Sequence, residues 1–130
     1  MDHRQELSLI RRRINENYKA NFEKDFPQIA TITVIVVEEG KDVDKYNKGE
    51  FSLKHTFNKS NIVSELDCSN VVCAKGGFLL GELIDDMYIK RETNEKGLKM
   101  CFGKESSKSG KTSLRNCINM FSYEISITYR

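Results

Sequence analysis

Leu7, Ile10, Ile14, Tyr18 and Phe22 recur every three or four residues, the spacing that lines side chains along one face of an α-helix. Arg11, Arg12, Lys19 and Glu23 fall mostly off that face. Asp2 and Gln5 form a capping box, in which the carboxylate accepts from an unpaired first-turn amide. Pro27 stops the helix, because it has no amide hydrogen and restricts the residue before it. The pattern predicts a helix over about residues 3–24.

From Ile29 to Val37 the chain is a run of β-branched residues with one alanine, which predicts a central strand apolar enough to be covered on both faces. The polar stretch Gly40 to Gly49 is a predicted loop. Phe51, Leu53, His55 and Phe57 then alternate with Ser52, Lys54 and Thr56, the period of a strand with one buried face. Ile62, Val63 and Leu66 after Ser60 suggest a short helix. Leu80, Leu83, Ile84, Met87 and Tyr88 predict a longer one starting near Gly77, and Val71 to Ala74 a short strand between them. Leu98, Met100 and Phe102 alternate with polar neighbours, as do Phe121, Tyr123, Ile125, Ile127 and Tyr129, giving two further strands. The Ser-, Gly- and Lys-rich segment Gly103 to Arg115 between them is expected to be a long mobile hairpin loop or a partly helical excursion.

These elements describe one α+β domain over residues 1–130. It has an N-terminal helix, a four-stranded mostly antiparallel sheet with one or two further helices packed on one face, and a C-terminal β-hairpin with a long loop. At 38% hydrophobic and 31% charged residues the chain is too apolar to be disordered. Its longest apolar run is far short of a membrane-spanning helix, and the charged first 28 residues lack the apolar core of a signal peptide, so a cytoplasmic location is expected.

Charge adds a direction. Residues 90–130 carry nine Lys/Arg against four Glu, a surplus of +5 that leaves −3 for residues 1–89. Lys104, Lys108, Lys111 and Arg115 of the predicted loop, with Arg11 and Arg12 of the first helix, are the candidate binding residues, suited to an acidic protein surface or to phosphates. Aromatic stacking platforms for single-stranded nucleic acid are sparse, Tyr46, Phe51 and Tyr123 being the candidates.

Candidate chemistry is thin. Ser109-Gly110-Lys111-Thr112-Ser113 resembles part of a phosphate loop, but the motif's first glycine would fall on Glu105, an anion facing an anion. His55, with Glu82, Asp85 and Asp86 on the second main helix, makes a possible hydrolytic or nuclease group. Cys68, Cys73, Cys101 and Cys117 suffice in number for a zinc site, yet neither close pair has the two-to-four-residue spacing of a zinc knuckle. They are expected to be reduced thiols that pack as small hydrophobes, with no metal and no cofactor. The expectation is a small non-enzymatic protein-binding protein of accessory, immunity or inhibitor type, from a bacterium or mobile element. The alternatives are a nucleic-acid-binding module using loop 103–115 and Arg11 to Arg13, and a small hydrolase centred on His55.

Overall fold

A computed structural model describes residues 3–42, 49–69, 73–74, 76–106, 112–117 and 119–130. Its elements run α1 (His3–Asp25), β1 (Ile29–Asp42), β2 (Gly49–Phe57), β3 (Cys73–Ala74), α2 (Leu80–Lys90), β4 (Asn94–Met100), β5 (Lys104–Ser106), β6 (Thr112–Asn116) and β7 (Met120–Tyr129). The class is α+β, as the pattern predicts. β2, β1, β7 and β4 lie side by side in that order in one sheet, and every neighbouring pair is antiparallel. A second, smaller sheet orders β3, β5 and β6.

The register puts alternate residues on the two faces of the main sheet. Val34 stands opposite Ile125 and Val36 opposite Tyr123, so Ile32, Val34 and Val36 share the inner face with Phe121, Ile125 and Ile127. There they meet Phe22 of α1, Phe26 just after it, and Leu80, Ile84 and Met87 of α2 in one buried cluster. The Phe78 ring stacks on Phe121 at 5.2 Å between centroids, and Tyr129 donates to the carbonyls of Met87 and Glu92. α2 ends at Arg91, whose left-handed φ of 56° lets the Glu92 amide return to Met87 O.

Four expectations are corrected. β1 is covered on one face only: Thr31 and Thr33 are exposed, and Ile35 and Val37 are half-buried. Its outer-face partners on β7 are Thr128, Ser126, Glu124 and Ser122, polar residues that need no cover. Ser60 to Leu66 is the end of a turn followed by irregular chain with a single bridge at Leu66, and Asn58 and Asn61 tie the turn by side-chain hydrogen bonds that compete with a helix. The predicted loop 103–115 contains paired strands, β5 against β6, with residues 107–111 outside the described ones. The buried face of α1 also departs in part from the apolar stripe. Tyr18 and Phe22 turn inward as the stripe predicts, but in the first half Arg11 is buried while Ile10 and Ile14 are exposed, because polar partners below the helix claim Arg11 and Asn15. The Asp2 cap lies outside the described residues. No helix among the described residues is long and apolar enough to cross a membrane.

Candidate metal centre

At the row Glu39–Met120–Met100 the pairing of β7 with β1 and β4 ends, and the four cysteines gather beside that end of the sheet. Cys68 lies on the chain after Leu66, whose backbone bridges Phe78. Cys73 begins β3, Cys101 follows β4 and Cys117 follows β6. Cys101 and Cys117 are set side by side by two backbone hydrogen bonds, Cys101 N–H to Asn119 O and Cys117 N–H to Gly103 O, each 2.9 Å. β3 pairs with β5, bringing Cys73 to the same place.

The four Sγ atoms lie within 4.8 Å of one another and all four cysteines are buried. Cys68 and Cys117 are 3.6 Å apart at sulfur, as are Cys73 and Cys101. Four thiolates around one zinc at about 2.3 Å stand about 3.8 Å apart on the edges of a tetrahedron. The set therefore has the size of a mononuclear site, since an iron–sulfur cluster would enclose its own irons and sulfides and spread the cysteines wider.

The surrounding backbone is shaped for sulfur. Gly77 N–H donates to Cys101 Sγ at 3.2 Å and Gly103 N–H donates to it at 3.5 Å. Gly77 has φ of +144°, a conformation that residues with a side chain rarely adopt. A Cβ on Gly76 would come within 2.5 Å of Cys73 Sγ and still closer to Cys101 Sγ, and one on Gly103 would also come within 2.5 Å of Cys73 Sγ. The two glycines thus form a cradle that any larger residue would fill.

Shared protons make the sulfurs unequal. The Cys101 thiol is held down by contacts with Cys117, Cys68 and Cys73 and by the Gly103 amide, which favour its thiolate. Cys73 is pushed up, chiefly by its contact with Cys101. Cys117 sits at about 7: Cys101 acts to raise it, but Cys68, Cys73 and the Asn119 backbone amide outweigh that. A cation entering this group displaces the remaining protons and takes over their role.

Polar side chains clamp the centre from both sides. Arg11 is buried, and its guanidinium reaches Glu65 and Asp67, each at 2.9 Å, and Gly76 O at 2.6 Å. Asn15 caps the same segment, accepting from the amides of Ser64 and Glu65 and donating to Glu65 O. From the sheet, Glu38 accepts from Ser69 N–H and Ser69 Oγ, both 2.8 Å, and from Asn119 Nδ2 at 3.0 Å. Arg11, Glu38 and Asn119 are the buried charged or amide side chains among the described residues. Every one of them serves a segment that carries a cysteine.

The residues singled out from the sequence divide. The four cysteines come together, so the spacing argument against a shared site fails: it assumed knuckles made within one turn, whereas pairing of β3 with β5 and of chain 101–103 with 117–119 delivers the ligands. Arg11 is a buried structural cation, while Arg12 is exposed. Lys104 and Arg115 stand in β5 and β6, and Lys108 and Lys111 lie outside the described residues. Thr112 and Ser113 begin a strand, so no helix follows Gly110-Lys111 to hold a phosphate. His55 stacks on Phe57, 6.3 Å between centroids, and Asp86 pairs with Lys90 at 3.1 Å. Tyr46 lies outside the described residues, and Tyr123 packs on Phe78. Glu38 and Asn119 were not legible as site residues; the available signal was an acid at a core-facing position, two residues after Val36. No family model, curated protein or solved structure matches the chain.

Proposed function

We propose that this chain is a small zinc-binding protein, with Cys68, Cys73, Cys101 and Cys117 as ligands, that acts by binding another macromolecule rather than by catalysis. The observation that carries the reading is the meeting of four buried sulfurs within 4.8 Å from four separate segments. Four protein thiolates complete a tetrahedral shell and leave no position for a substrate or a reactive water, which is the character of structural zinc. The centre closes the base of the segment holding Lys104, Lys108, Lys111 and Arg115, because Cys101 precedes that segment and Cys117 follows it. A basic hairpin on a rigid base suits a protein partner with an acidic surface.

Zinc is tested by elemental analysis and native mass spectrometry of the purified protein. The expected result is one zinc per chain, released by acid and lost in Cys101→Ser; no zinc in protein refolded with excess metal refutes the centre. The binding role is tested with Lys108→Glu/Lys111→Glu, which should leave thermal stability nearly unchanged and slow partner association at low salt. A steep loss of affinity with salt, in proportion to phosphates neutralised, would instead mark nucleic acid.

A further inference from the structure

We propose that Glu38 is a positioning residue for the metal centre: its carboxylate fixes Cys68 and Cys117 in their ligating places before the metal arrives. The proposal rests on the zinc reading above and extends it to a residue that touches no sulfur.

Glu38 is fully buried on the inner face of β1, next in alternation after Val34 and Val36. A carboxylate at such a position is costly unless its oxygens are satisfied. Three hydrogen bonds satisfy it, and all lead to the cysteine-bearing chain. Ser69, which gives both its amide and its hydroxyl, is the residue after Cys68. Asn119, which gives its side-chain amide, also points its backbone N–H at Cys117 Sγ and offers its carbonyl to Cys101 N–H. Among the described residues Asn119 Oδ1 meets no hydrogen-bond partner, and the donation to Glu38 is the side-chain contact that orients this amide. Cys68 and Cys117, the cysteines flanked by these contacts, are one of the two pairs at 3.6 Å.

The two cysteines are 49 residues apart in sequence, and among the described residues their segments share no strand pairing. Glu38 joins them through β1, one of the two inner strands of the main sheet, and so refers the ligands to a strand hydrogen-bonded along both edges. Groups behind metal ligands act in this way by removing the disorder that binding would otherwise have to overcome, and their loss typically costs about 10–100-fold in metal affinity.

The chemistry of the contact separates shape from charge. In Glu38→Gln the amide oxygen can accept from Ser69 N–H and Asn119 Nδ2, and the amide nitrogen can donate to Ser69 Oγ, because a hydroxyl both donates and accepts. In Glu38→Leu all three contacts are lost at similar volume. The experiment measures zinc affinity by chelator competition, and the absorption of the cobalt(II)-loaded protein, whose ligand-field bands report tetrahedral sulfur coordination. Glu38→Leu should bind about 10–100-fold more weakly, with shifted cobalt bands, and Glu38→Gln should restore most of the affinity. Ile125→Val, a core change distant in role, should lower stability without moving the cobalt bands. If Glu38→Leu yields no folded protein, Asn119→Ala and Ser69→Ala, which remove separate contacts, carry the same test. Wild-type affinity and spectrum in the Leu or the Ala variants, or an equal shift in Ile125→Val, overturns the role of Glu38 alone. Failure of the wild-type chain to take up zinc or cobalt overturns the metal centre and this role together.

Discussion

Gly76→Ala should damage the metal centre selectively. Its new Cβ would lie within 2.5 Å of Cys73 Sγ and nearer still to Cys101 Sγ, with Gly103 Cα at 3.0 Å on a third side. Carbon and sulfur meet comfortably at well over 3 Å, so both sulfurs must retreat by about an ångström, and Gly103 blocks the obvious way out. A tetrahedron with edges of about 3.8 Å cannot open by that much on one edge and keep four bonds of about 2.3 Å. Overpacking of this kind costs roughly 1–3 kcal/mol. Charged to the metal-bound state, that loosens zinc by roughly 5- to 150-fold. The assay is thermal unfolding of wild type and variant, each with zinc and with a chelator. Wild type should lose much of its melting temperature on chelation, while Gly76→Ala should start lower and lose less. Equal zinc-dependent shifts in the two proteins would refute the reasoning, because the cradle would then have room that the geometry denies.

Ile125, fully buried between Val34 and Glu95 partners, should cost roughly 2–5 kcal/mol as Ile125→Ala, whereas Ser126→Ala on the open face should cost under about 0.5 kcal/mol in denaturant unfolding. Arg11→Met removes a buried guanidinium from Glu65, Asp67 and Gly76 O; since Asp67 is half-exposed and can be rehydrated, about 2–3 kcal/mol is expected, below the cost of breaking a fully buried pair. Zinc retention should weaken as pH falls from neutrality, because the metal-bound thiolates sit below their unfolded pKa and the stability they contribute is lost on protonation. Chelator competition between pH 8 and pH 5 should show affinity dropping about tenfold per unit for each proton displaced, Cys73 being pushed up and Cys117 lying at about 7. A flat profile would mean the sulfurs are not the ligands.

What the sequence revealed follows from which forces dominate each element. Alternation of apolar and polar residues in Phe121 to Tyr129 specifies a strand with one buried face, because a one-residue slip would put Ile125 and Ile127 in water. α2 is equally legible, its buried Leu80, Ile84 and Met87 matching the apolar stripe. α1 is not, since the residues that face inward along its first half do so through hydrogen bonds and charge. Hydrophobic periodicity selects Ile10, which is 55% exposed, over Arg11, which is 4% exposed. The sulfur centre was hidden for a related reason. Ligand spacing along the chain is informative only when one turn supplies two ligands, and here each cysteine arrives on a different segment. The cue that survives in the sequence is the company the cysteines keep: Gly76 and Gly77 shortly after Cys73, and Gly103 two residues after Cys101.

The placement of the centre explains why a chain with a good hydrophobic core would need one. Apolar packing between the main sheet and the two helices ends at the row where Glu38 replaces the next valine. Past that row the small sheet has strands of only two, three and five residues, too short to bury a core of their own. With so little sheet to pack against, a cross-link through the four sulfurs would stabilise that end. Joining Cys68 to Cys117 and Cys73 to Cys101 closes segments with separations of 49 and 28 residues, and a link across segments of this length removes roughly 3–5 kcal/mol of unfolded-chain entropy. That is a large share of the net stability of about 5–15 kcal/mol that holds a typical domain folded. A metal held by the four thiolates would do for the sulfur end what Phe22, Leu80 and Ile125 do for the other. The two ends meet at Glu38, whose backbone belongs to the first and whose carboxylate holds the second.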